Sequence, residues 1–232
     1  MTTGVKAHRG GGARRRIATL LAVLCAWALL AAPGLTVAAI GEVIVLKGEV
    51  SLIRGRIQAR VQEKFDLEDG DRVVTALGAK ALIRLAGEMQ GTEAVVTEKT
   101  DFKVNELLRR REASPIELLF GAIRSRVIRY IEPKPFLRTP AAVIGIKGTD
   151  FIVYVKRKEA SEFIGVEGLI EAASATRPEY SIQIGKRQWG EIVEGQPPRP
   201  PIPVPDELWN PAMEEFRFPS PEELRAAERR GQ

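Results

Sequence analysis

The sequence predicts an all-β fold, and three observations carry that expectation. Short apolar runs, many alternating with period two, recur from Ile40 to Gly195. Glycine-containing turns separate them. Residues 139–155 read as strand, glycine kink, strand, and form the centre of the pattern. There Pro140 fixes its own φ and holds Thr139 extended. Val143, Ile144 and Ile146 are β-branched, and Gly145 and Gly148 offer a bend. Phe151, Val153 and Val155 then alternate with Ile152, Tyr154 and Lys156, so one face is strongly apolar and the other is not fully wet.

The leader, residues 1–39, differs from everything after it. Lys6, Arg9, Arg14, Arg15 and Arg16 are followed by an uncharged run from Ile17 to Ile40, which ends in the small residues Val37-Ala38-Ala39. These are the parts of a secretory signal, with cleavage expected after Ala39. Retention as a membrane anchor is the alternative, since the run is nearly long enough to span a bilayer. Pro33-Gly34 interrupts it and favours cleavage. Cys25 follows Val23-Leu24 rather than the small residue of a lipobox. Arg14-Arg15-Arg16 leaves twin-arginine export open beside the general route.

Loss of the leader would remove His8 and Cys25, the only His and Cys. The remaining chain would have no disulfide, thiol nucleophile, histidine base or Cys/His metal site. The five leader cations account for the whole net charge of +5, and the other Lys and Arg balance the 30 Asp and Glu. The sequence pI of about 9.5 is therefore no argument for nucleic acid.

Along the chain, Gly41 to Gly48 leads into Glu49 to Ile53, with Val50, Leu52 and Ile57 marking an inner face. Arg54-Gly55-Arg56 is a turn. A tight acidic turn at Asp69-Gly70-Asp71 precedes a strand, Ala79 to Leu85 alternates, and Ala94 to Thr97 and Phe102 to Val104 continue in the same style. Gly121 to Tyr130 alternates apolar and basic residues. Strands are expected at Glu162 to Val166 and Leu169 to Ala173, and a last hairpin from Tyr180 to Val193. A weak repeat of Gly48, Gly70, Gly121, Gly148, Gly168 and Gly190 raises a β-solenoid beside a β-sandwich. Residues 196–206 are a proline-rich, stiff linker. Residues 207–232 form a tail whose Ser220-Pro-Glu-Glu223 starts a short helix.

Residues 139–151, TPAAVIGIKGTDF, resemble the TP-x-A-x-x-G-[VI]-[RK]-G-T-[DE]-F signature of the FecR domain family. Leu67 to Thr75 resembles its L-x-x-G-D-x-[VI]-x-T segment, and Ala79 to Gly87 its small–aliphatic strand. Leu119 to Ile123 resembles L-x-G-x-[VI], and Val166 to Ile170 resembles V-x-x-G-x-[VI]. The segments fall in the family's order across residues 40–195. The resemblance implies a FecR-type β domain, solenoid-like or sandwich-like, on the extracytoplasmic side. Its motif residues here are Thr139, Pro140, Gly145, Gly148, Thr149, Asp150, Phe151, Gly70 and Asp71. Well-known members are anti-sigma regulators with a cytoplasmic helical domain. With fewer than 20 residues before the apolar run, no such domain is expected here.

Other candidates each have a bland reading. Asp69 and Asp71 could bind calcium, but too few oxygens are in view and a hydrogen-bonded turn explains them. Asp150 and Glu167 would make a glycosidase pair only if the fold joined them. Arg109-Arg110-Arg111 and Lys156-Arg157-Lys158 read as solvated turns. Trp189, Trp209, Met213 and Phe216 are possible partner contacts, with packing onto the domain as the alternative.

The expectation is a non-enzymatic periplasmic or secreted module that needs no cofactor and binds an envelope protein. It has no nucleic acid partner, and meets the membrane only through an uncleaved leader. A carbohydrate- or cell-wall-binding module is the alternative, and a carboxylate-based hydrolase the third reading.

Overall fold

The computed structural model describes residues 39–105, 114–128 and 136–229. The leader up to Ala38, Arg109-Arg110-Arg111 and Glu132 to Pro135 lie outside them.

The described residues are mostly β, and among them one continuous sheet of fifteen strands, β1 to β15 in chain order, carries the fold. Three long strands carry the sheet from one wing to another: β9 (Ile116–Arg126), β11 (Ala142–Arg157) and β12 (Ala160–Ser174). Their C-terminal, C-terminal and N-terminal halves respectively belong to the first wing. There they continue β4 (Lys64–Leu67), β1 (Gly41–Lys47), β6 (Lys80–Leu85) and β7 (Glu93–Val96) on one side, and β14 (Gln188–Val193) and β15 (Ile202–Pro203) on the other. Their other halves join β3 (Ile57–Val61), β2 (Val50–Arg54), β5 (Arg72–Thr75), β8 (Asp101–Val104), β10 (Leu137–Arg138) and β13 (Ser181–Ile184) in the second wing.

Both wings bury their inner faces in one core. Val43, Ile83, Val96, Ile123 and Val153 come from the first wing; Leu52, Val73, Phe102, Ile144 and Ile170 come from the second. The sheet thus curls over into a small barrel around a shared interior. Phe151 anchors that interior, meeting Phe136 edge to face at 5.9 Å.

The glycine repeat marks corners, not coils. Gly48, Gly70, Gly121, Gly148 and Gly168 have positive φ and stand where the chain crosses between wings. Gly190 lies inside β14 instead. At Gly121, φ is 96°, and a Cβ would fall 2.5 Å from the Thr100 Cα, so only glycine fits. The ladders are antiparallel except for β9–β10. A solenoid stacks its coils in parallel, so this sheet is not one. Nor is it two separate sheets, because three strands run through both wings.

Local expectations need two further corrections. Gly145 has ordinary φ and lies in mid-strand, where an added Cβ would meet only the Glu171 carbonyl at 3.9 Å; the bend falls at Gly148 alone. Ile57 is 71% exposed, because the Arg54-to-Ile57 turn closes with Ile57 opposite Arg54 and turns it away from the core.

The chain does not stop folding at Gly195. Residues 202–203 pair with Gln188 and Trp189 as β15. Helix α1 (Asp206–Glu215) follows, with Asp206 and Glu207 in its first turn facing the helix dipole favourably. Helix α2 (Pro221–Arg229) is capped as the sequence pattern anticipates. The Glu223 N–H donates to Ser220 Oγ at 3.2 Å, and the Ser220 N–H donates to the Glu223 carboxylate at 2.6 Å. Among the described residues no helix is long and apolar enough to cross a membrane.

Candidate functional site

The outer face of the first wing is organised as two rows. Register places Lys64, Ile44, Leu82, Val95, Arg124, Ile152, Ile164, Trp189 and Ile202 side by side across nine strands. Seven of these nine are apolar. Parallel to that row runs a charged one: Asp66, Glu42, Arg84, Glu93, Arg126, Asp150 and Glu167. Arg84 bridges Glu42 at 3.3 Å and Glu93 at 3.1 Å, so opposite charges alternate from Glu42 to Asp150, with a further acidic residue at each end. Burial pushes the Glu42 carboxyl up, but hydrogen bonds and charges from Lys64 and Arg84 outweigh it and hold the group below its ordinary value.

The C-terminal segment lies over the apolar row as a strap. Val204, Trp209, Ala212, Met213 and Phe216 pack on Ala122, Ile152, Ile164 and Trp189. Phe218, Leu224 and Ala227 pack on Ile44, Leu82 and Val95. Phe216 is fully buried and meets Tyr154 edge to face at 5.6 Å. The Lys80 ammonium donates to the Glu215 carbonyl at 2.8 Å. Burial lowers the Lys80 pKa, with nearby Arg217 adding to it. Burial also raises the Glu215 carboxyl, helped by Glu98.

Lys64 ends the apolar row, Arg124 is the one charge inside it, and the motif aspartate holds that arginine. Nε donates to one Asp150 oxygen at 2.7 Å and Nη2 to the other at 2.8 Å, a two-pronged bond between two buried groups. Arg124 Nη1 reaches the Phe216 carbonyl at 3.4 Å, and the guanidinium stands 5.1 Å from the Phe218 ring centre. Arg126 lies closer to that ring, at 4.1 Å. Arg126 Nε also reaches an Asp150 oxygen at 3.4 Å, so the central motif and the strap are joined through two arginines.

The second motif aspartate repeats the device. Asp71 is fully buried after the Gly70 corner and accepts from Arg54 Nε at 2.9 Å and Nη2 at 2.7 Å, and from the Glu68 N–H at 2.8 Å. Thr139 accepts the Ala142 N–H at 2.8 Å and pairs with the Ser161 hydroxyl at 2.7 Å. Pro140 is exposed and Thr149 is buried.

Asp150 and Glu167 do face one another across β11 and β12. Both Asp150 oxygens are held by Arg124, however, and Glu167 is exposed, so the pair is not poised for acid–base work. Lys156 pairs with Glu162 at 3.1 Å and Arg157 with Glu191 at 3.3 Å, so that basic turn is largely neutralised. The Trp189 indole N–H donates to Glu162 at 3.4 Å, and the ring is half-buried. Trp209 and Met213 are half-buried too, while Phe216 offers a partner no surface in this conformation. The Arg54, Arg124 and Arg126 roles were not read from the sequence. The alternation of apolar and basic residues after Gly121 was the available signal, since it puts Arg124 and Arg126 on one face.

No family model matches the chain, and no curated protein matches it in sequence. Two crystal structures of a "putative anti-sigma factor" from Parabacteroides distasonis ATCC 8503 are similar to it. One, at 1.65 Å resolution, is 17% identical with a TM-score of 0.47, covering 61% of this chain and 64% of that one. The other, at 2.50 Å, is 18% identical with a TM-score of 0.47, covering 57% and 59%. The chain spans less than two thirds of either structure's length. Likeness at this level says nothing of function, and the FecR resemblance rests on the sequence motifs alone.

Proposed function

We propose that the chain is an exported, non-catalytic FecR-like module that works by contact with another protein of the cell envelope, in a regulatory or sensing role. One observation carries this reading: both charged motif residues, Asp71 and Asp150, are spent on arginine forks that brace the fold. Carboxylates locked this way lack the freedom of a general acid or nucleophile. The motif then serves to present surface rather than to transform a substrate. The leader supports export, with the processed chain starting at Ile40.

Photo-cross-linkers at Gln58, Glu171 and Glu191, three surface positions spread over both wings, test the reading in an intact envelope. The expected result is a discrete protein adduct from at least one position, and an N-terminus at Ile40. Retention on cell-wall glycan with no protein adduct from any position would overturn it.

A further inference from the structure

The ladder between β14 and β15 is cut short, and its register shows why. Trp189 pairs with Ile202, and the Val204 N–H donates to the Arg187 carbonyl at 2.8 Å. Odd-numbered residues of β14 therefore direct their backbone groups to this side, since successive residues of an antiparallel strand alternate. The Glu194 N–H, which turns the other way to Glu159 at 2.8 Å, fits that alternation. Continuing the register puts Pro200 opposite Glu191. Proline has no N–H to give, so the ladder ends. The Val193 carbonyl takes the Gln196 N–H at 3.2 Å, which leaves the Val193 N–H and both backbone groups of Glu191 facing outward without a ladder strand.

Where the proline-rich segment arches away from this edge, a cleft of about 550 Å³ opens. Arg157, Glu159, Trp189, Glu194, Arg199 and Pro200 help line it. Arg157 is neutralised by Glu191. Glu159 and Glu194 are exposed against the single remaining cation, Arg199, so the rim carries an excess of negative charge.

We propose that this cleft binds an extended basic segment of another polypeptide, which adds to β14 at the ladder positions Pro200 leaves empty. Backbone bonds to Glu191 and Val193 would hold the segment, the proline arch would roof it, and Glu159 and Glu194 would select a cationic side chain. This deepens the reading of the chain as a protein-binding module and rests on it.

The test is an NMR titration of the full chain with the peptide KVTVKVT. Its partners are a twin N-methylated at alternate residues, an EVTVEVT analogue, and chitotriose as a glycan probe. The expected result is saturable binding that slows hydrogen exchange at the Glu191 and Val193 amides. N-methylation should abolish it, and the acidic peptide should bind about threefold more weakly or worse. A Glu159→Lys, Glu194→Lys chain, altered only at exposed positions, should prefer the acidic peptide instead. No protection at those amides, protection indifferent to N-methylation, or a response to chitotriose alone would overturn the proposal. Should the peptide fail while envelope proteins still cross-link at Gln58 or Glu171, the cleft assignment falls and the module reading stands.

Discussion

The two wings have the same architecture and opposite outer faces. On the first, the central cross-strand row is Lys64, Ile44, Leu82, Val95, Arg124, Ile152, Ile164, Trp189 and Ile202. The corresponding row on the second is Gln58, Ile53, Arg72, Lys103, Glu117, Arg138, Val143, Ala173 and Ser181. The first is apolar around one arginine, with Lys64 at its end, and carries the strap; the second is mainly polar and carries none. A sheet needs a cover where both faces are apolar and can meet water where one is polar. The strap is therefore part of the first wing's structure.

That contrast can be broken from either side. The largest point effect is expected at Asp150→Ala, which strands a buried arginine and should cost about 3–5 kcal/mol in denaturant unfolding. Phe216→Ala should cost a similar 3–5 kcal/mol by opening the strap contact, whereas Val143→Ala on the bare row should cost about 1 kcal/mol or less. The corners sharpen the same point. Gly148→Ala should cost about 1–2 kcal/mol from its positive φ, although nothing crowds it. Gly145→Ala, in ordinary backbone with room for a methyl group, should be near neutral by thermal melting.

The smallest effect is electrostatic. Glu215 has a raised folded pKa, so its ionised form opposes folding above that value, and the penalty disappears as pH falls below the unfolded value. Glu215→Gln should raise stability modestly at neutral pH and change nothing in acid. Glu42 runs the other way. Its folded pKa is lowered, so its contribution is present above the unfolded value and is lost as pH falls through the folded one. A Glu42→Gln chain should lose stability at neutral pH and lose less on acidification. Unfolding series across the acid range check both signs.

Much of this was legible in the sequence, and what was missed has physical causes. Alternation and glycine punctuation disclosed the β fold, and Ile152 and Tyr154 marked a second face that is not fully wet, without showing what covers it. The glycine spacing suggested solenoid coils because corners and coils both demand positive φ, and sequence spacing does not distinguish parallel from antiparallel pairing. Helix α1 was hidden by Pro211, which argues against helix in general but leaves this short amphipathic one intact. The Arg124–Asp150 fork depends on register between two strands and joins residues 26 positions apart, which no local pattern encodes.

The most direct measurement is equilibrium unfolding of a chain ending at Gly195. Removing the strap would expose Ile44, Leu82, Val95, Ile152 and Ile164 together. At about 1.5–3 kcal/mol for each fully buried side chain, that loss rivals the 5–15 kcal/mol that holds a typical domain folded. The account predicts loss of the cooperative transition, with hydrophobic-dye binding in its place. A truncated chain that unfolds cooperatively at the same denaturant midpoint as the full one would contradict it.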